Sequence, residues 1–250
     1  MKKPNSKKPN SKKPASKKPA VPLTLQFCTE LVHPDPSEAL AVALRENPAN
    51  LSPPPGPGPL HDAIMHMDAP FIGIVFRKMW RPGRTLRIAF MGTVNSIVRT
   101  KIKAYANQWL SHVNLRFSWV TGSAGDIRIT TTPGGSWSYI GTDALARPAA
   151  EATMNYGWLT PTTPEDEYSR VVLHEFGHAL GAIHEHQHPA AGVPWDRPAV
   201  YAYYARQGWS RAQVDNNLFA RYAASQLNAS TYDRRSIMHY AVPNELTIGD

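Results

Sequence analysis

The sequence predicts an α+β fold, with helices packed on a mixed sheet, and three observations carry this. Apolar residues alternate at Leu86, Ile88 and Phe90, at Leu115, Phe117 and Trp119, and at Ile127 and Ile129, the period of half-buried strands. Between the first two runs, Val94, Ile97, Val98, Ile102, Tyr105 and Trp109 recur at helical spacing, so residues 94–111 read as an amphipathic helix. The resulting order, strand–helix–strand–strand, places a helix against a mixed sheet.

The chain begins differently. Its 250 residues carry 27 Lys+Arg against 19 Asp+Glu, a formal net charge of +8. Residues 1–21 repeat KKPNS, KKPNS, KKPAS and KKPAV, with eight lysines from Lys2 to Lys18 and no acid. The remainder is formally neutral, so net charge does not mark the whole protein as a nucleic-acid binder. A five-residue period with proline in every repeat forms no packed face, and the segment reads as an extended, disordered arm. It offers at most a weak contact to a polyanion. Residues 22–69 resemble a pro-segment, with a short helix expected over Ser37–Arg45 and a Pro/Gly linker over 51–60. Thirteen of the 23 prolines precede residue 60, so the folded domain is expected to span 70–250. Cys28 is the single cysteine, which excludes an intramolecular disulfide framework. No run of 18 apolar residues predicts a spanning helix, and the N-terminus lacks a convincing signal peptide.

Further along, Gly134-Gly135-Ser136 and Gly141 mark a loop, and Met154, Tyr156 and Trp158 alternate as another strand. Thr163-Pro164-Glu165-Asp166 reads as a helix start, with Thr163 as N-cap and acids in the first turn. That helix carries His174-Glu175-Phe176-Gly177-His178-Ala179-Leu180-Gly181-Ala182-Ile183-His184. His174 and His178 stand one turn apart on one face. In a continuous helix His184 would lie about 15 Å further along the axis than His174. The chain must therefore turn back, and Gly181 is where a left-handed residue is available. Three neutral imidazoles then meet on one Zn2+ and leave a fourth position open, the pattern of a catalytic centre. Glu175 beside that position suits a general base for water.

The segment HExxHxxGxxH, with Glu185 after the third histidine and Ser236-Ile237-Met238-His239-Tyr240 downstream, resembles the astacin-like branch of the metzincin zinc peptidases. The resemblance covers residues 78–245 and implies a two-lobed domain with the zinc helix and mixed sheet above a Met-turn and a small helical lower lobe. It implies zinc ligation by His174, His178 and His184, and Glu175 as general base. It also implies Met238 as the floor of the site, Tyr240 as the group that steadies the oxyanion, and Glu185 as partner of a mature N-terminus. The implied activity is endopeptidase cleavage of protein or peptide substrate, by a monomer expected outside the cell. Substrate is expected to add to strand 152–158 as a further strand. The alternative function is a non-catalytic zinc-containing module that binds peptide or polyanion through the arm.

Two departures from the family stand out. The disulfides of its animal members are impossible here, and the sequence ends ten residues after Tyr240, short of the usual C-terminal helix. No pro-segment switch motif is evident. Cys28, Asp62 and Asp68 are each a candidate zinc ligand in a latent form, and Cys28 reads equally as a small apolar residue. His186 and His188 read as loop residues and His239 as a packed turn histidine. Trp195, Tyr201, Tyr203, Tyr204 and Trp209 read mainly as packing for two helices at 197–206 and 210–220. Arg234 and Arg235 read as loop charge or as contacts to acidic substrate.

Overall fold

A computed structural model describes residues 28–51, 73–122 and 124–249. The Lys/Pro arm, Asp62, Asp68 and most of the linker lie outside the described residues. Folded elements also stand ahead of residue 70 and pack on the body that follows. They include strand β1 (Cys28–Leu31) and helix α1 (Pro36–Glu46). The helix forms because Asp35 caps it, accepting from the Ser37 and Glu38 amides at 2.8 and 3.2 Å, while Pro36 presets the first turn. Its Ala39, Val42 and Ala43 are buried, and it packs on the turn Gly141–Ala146.

Strand β2 (Gly73–Val75) follows, then β3 (Thr85–Phe90), α2 (Ser96–Ala106) and β4 (Arg116–Val120). β5 (Ile127–Thr130), β6 (Ser136–Tyr139) and β7 (Met154–Asn155) complete a six-stranded sheet in the order β1-β6-β7-β5-β3-β4. β3 pairs parallel with both β4 and β5, and β5 parallel with β7. β6 is antiparallel to β7 and parallel to β1. The sheet is therefore mixed, as expected. Helix α3 (Glu165–Ala179) starts one residue later than expected, with Pro164 at the N-cap. Thr163 instead closes the preceding turn, its hydroxyl accepting from the Thr160 amide.

Leu86, Ile88, Ile127, Ile129 and Met154 from the sheet form one buried core with Val98 and Ile102 of α2 and Val172 and Phe176 of α3. Each fully buried Leu or Ile contributes about 1.5–3 kcal/mol. Two indoles then fix α3 lengthwise: Trp109 donates to the Leu173 carbonyl at 3.1 Å and Trp80 to the Ala179 carbonyl at 2.8 Å.

Beyond the site come α4 (Arg197–Ala205) and α5 (Arg211–Val214), which runs into a π-helical turn over Asp215–Phe219. β8 (Leu227–Ala229) pairs antiparallel with β2. Tyr203 and Tyr204 are buried, and Trp195, Tyr201 and Trp209 pack against the same core, so these aromatics hold the helices together. Among the described residues no helix is long and apolar enough to cross a membrane.

Candidate metal centre

α3 carries His174 and His178 and then stops in a defined way. The Gly181 amide donates to the His178 carbonyl and the Ala182 amide to the Gly177 carbonyl, with Gly181 at φ +109°. This crossed pair of bonds ends a helix and reverses the chain, and it needs a residue without Cβ strain at the turn. β2 then catches the reversed segment: the Val75 amide donates to the Gly181 carbonyl and the Ile183 amide to the Gly73 carbonyl. That pairing delivers His184 back beside the helix.

The three imidazoles converge through Nε2. His178 Nε2 lies 3.2 Å from both His174 Nε2 and His184 Nε2. These are not hydrogen bonds. His174 Nδ1 faces the Ile237 carbonyl and His178 Nδ1 the Ala182 carbonyl, each at 2.8 Å. A carbonyl only accepts, so both Nδ1 atoms hold the proton and both Nε2 atoms present lone pairs. Burial also holds these rings neutral: it pulls His174 down to about 4, and His178 and His184 well below their ordinary range, with the neighbouring imidazoles adding to the effect on the latter two. Buried lone pairs pointing at one another require a cation between them. Ligands 2.0–2.1 Å from a tetrahedral zinc stand about 3.3 Å apart, so the spacing fits that ion. Among the described residues this trio is the group able to hold a metal, and Cys28 lies outside it.

Around the trio stand the other residues of interest. Glu175 is fully buried and neither of its oxygens has a well-formed hydrogen bond. Burial pushes its carboxyl up to about 8, offset by the Cys28 thiol lying against it and by Arg170. The Tyr240 ring packs on His184 at 4.2 Å and stacks on His186 at 4.8 Å, and its hydroxyl donates to the Cys28 carbonyl. Burial raises the Tyr240 phenol well above its usual range, so it stays a donor. Met238 is fully buried, and its carbonyl accepts from the Glu185 amide at 2.9 Å. One Glu185 oxygen accepts from the Asp233 amide at 3.0 Å and the other is buried without a well-formed hydrogen bond, with the Ser236 side chain nearby; burial raises this carboxyl to about 7.

Comparison with known proteins decides the family. The model of the astacin peptidase family matches residues 75–245. The chain belongs to the astacin family. It is a zinc metalloendopeptidase with one catalytic zinc on His174, His178 and His184. One solved structure of myroilysin is 47% identical with a TM-score of 0.68, covering 70% of this chain and 86% of that one. A second is 48% identical with a TM-score of 0.54, covering 68% and 75%. High choriolytic enzyme 1, a hatching-enzyme zinc protease of Oryzias latipes, is 20% identical with a TM-score of 0.45 over 65% of this chain and 73% of its own. No curated protein sequence matches.

Several details of this astacin domain differ from the sequence reading. The strand expected at 152–158 shrinks to Met154–Asn155 and lies inside the sheet between β6 and β5, so it offers no free edge. The edge strand on that side is β1, which pairs with β6, where the preceding Gly-Gly pair predicts loop. His186 and His188 stand in a short turn outside the metal trio, as expected of loop residues, but both are buried. His186 is 1% exposed, with Nε2 on the Asn217 carbonyl at 2.8 Å, and Gln187 donates to the Asn216 carbonyl. The π turn supplies both carbonyls, since its wider winding leaves them outside the usual helical ladder. His239 meets the Tyr232 hydroxyl at 2.9 Å, a packed turn histidine as expected. Arg234 and Arg235 are exposed.

Proposed function

We propose that Glu175 is the general base and Tyr240 the oxyanion donor of peptide-bond hydrolysis, and that β1 lies across the site in a closed state. The observation that supports this is where Cys28 sits. Its thiol lies against Glu175, while its carbonyl oxygen accepts from the Tyr240 hydroxyl. One residue of an extended strand is thus held between the two groups that would act on a peptide bond. A zinc ion held by His174, His178 and His184 would lower the pKa of water bound to it and polarise a carbonyl.

When β1 leaves, β6 regains a free edge for a peptide strand, the recognition mode that supplies main-chain bonds. Glu175 then takes a proton from the attacking water and passes it to the leaving amine. The Tyr240 hydroxyl transfers its hydrogen bond from the Cys28 carbonyl to the oxyanion of the substrate. With β1 in place, the Cys28 thiol occupies the space beside Glu175 that water needs. Glu185, with one buried oxygen lacking a well-formed hydrogen bond, fits the partner of a new N-terminus that the family resemblance implies. The Lys2–Lys18 arm fits a weak contact to a polyanion, and the domain fits action as a monomer.

Glu175→Gln should keep zinc and lose cleavage of casein by about 10²–10⁴-fold. A variant that cleaves as fast as the parent sinks the assignment. Cutting the chain within residues 52–72 should raise activity; equal activity before and after would remove the closed-state reading.

A further inference from the structure

His184 differs from its two companions in what holds its second nitrogen. His174 and His178 each rest on a main-chain carbonyl of the region around the site. His184 Nδ1 instead lies 3.3 Å from Oε2 of Glu30, a residue of β1. Glu30 is 3% exposed, and its other oxygen faces the Tyr222 hydroxyl at 3.5 Å. Neither Oε2 nor His184 Nδ1 makes a well-formed hydrogen bond in the interior, so what joins them is this 3.3 Å charge contact, with the Gln187 side chain also close to His184. A buried acid with one oxygen committed to nothing but a metal-ligand imidazole is costly unless the charge beyond that imidazole is positive.

We propose that Glu30 is a positioning residue of the metal centre, the carboxylate partner of the His184 imidazole, so that β1 tightens zinc binding while it closes the site. The consequence rests on the reading that β1 leaves on opening. A carboxylate on the far nitrogen fixes which nitrogen carries the proton, holds the ring plane and makes the ligating nitrogen more basic. The alternation of β1 explains why this residue is placed to do so. Cys28 and Glu30 point to the same side, toward the site, and Thr29 and Leu31 to the other, where they match Trp137 and Tyr139 of β6. The same strand therefore blocks the base with Cys28 and steadies the third ligand with Glu30. Opening the site removes both, and the active form holds its zinc less tightly than the closed one.

The test is zinc affinity, read by competition with a chelator, with no turnover needed. In the full chain Glu30→Gln should bind zinc about 10–100-fold more weakly, and Glu38→Gln, on the exposed side of α1, should match the parent. Zinc binding by Glu30→Gln within twofold of the parent would overturn the proposal. The unsubstituted chain, cut within 52–72 and freed of the β1 segment, should show the same loss without any substitution; an unchanged affinity there would also overturn it. Casein cleavage by the cut and uncut parent reads the closed state separately. Equal rates would refute closure by β1, while the titration of the uncut chains still decides the role of Glu30.

Discussion

Gly177 and Met238 touch across the helix and the turn beneath it: a Cβ on residue 177 would stand 2.3 Å from the Met238 sulfur. The glycine inside HEFGH is thus a packing requirement, since the methionine side chain fills the place where a methyl would be. Met238 is fully buried and cannot simply swing aside. Alanine gains about 1 kcal/mol of helix propensity over glycine, whereas forcing an extra methyl into a packed interior costs about 1–3 kcal/mol. Gly177→Ala should therefore lower the unfolding midpoint modestly and weaken zinc binding, because moving Met238 shifts Ile237, whose carbonyl holds His174. Denaturant unfolding and a zinc titration check both.

Tyr240→Phe keeps the ring packed on His184 and removes only the hydroxyl. Loss of one oxyanion donor costs about 10²–10³-fold in kcat. In the cut chain freed of β1, zinc affinity should match that of the cut parent, and KM should move little. A variant with parental kcat would show that the phenol plays no part in the reaction. The same variant loses the bond to the Cys28 carbonyl, so β1 should release more readily, seen as faster proteolytic removal of the N-terminal segment.

Acid and base should both destabilise the zinc-free chain. Burial lowers His174 and His186 to about 4 and holds His178 and His184 well below their ordinary range. As pH falls below about 6.5 the unfolded chain takes up protons that these native imidazoles refuse, so stability falls. Burial also raises Glu175 to about 8 and Glu185 to about 7. As pH rises toward those values the unfolded chain has already lost these protons and the native one must lose them, so stability falls again. The four imidazoles outnumber the two carboxyls on the acid side, which places the maximum at about pH 6–7. Urea midpoints measured across that range check this; a monotonic profile would contradict it. Added zinc should steepen the acid limb, because protonated imidazoles release the metal.

The charged arm makes a separate prediction. If residues 1–21 contact polyanions, heparin retention of the full chain should fall steeply with salt and vanish when those residues are deleted, with peptidase activity unchanged. Retention insensitive to salt would exclude an ionic contact.

Much of the fold was legible because its signals are local. Alternation marked β3, β4 and β5, helical spacing marked α2, and a short helix was expected over Ser37–Arg45, within α1. The missed elements lacked such signals. Ser136–Tyr139 is four residues long and follows two glycines, so only its partners β7 and β1 reveal it as a strand. Cys28-Thr29-Glu30-Leu31 has one apolar residue of ordinary strand type, and its inward side chains suit a metal site, not an oily core.

The sequence by itself determined the centre: the spacing of His174 and His178, the glycine that lets the chain reverse before His184, and the methionine turn with Tyr240 beyond it. The first two follow from helix geometry and from the conformations open to a residue without a side chain, and the third from a short motif that stands intact in the chain. Only the tertiary structure decided what surrounds that centre. It placed β1 on the open edge of β6, put the Cys28 thiol on Glu175, and set Glu30 behind His184. Those contacts join residues more than 100 positions apart. No local pattern encodes them, because they exist only once the sheet, the helix and the reversed segment have packed together.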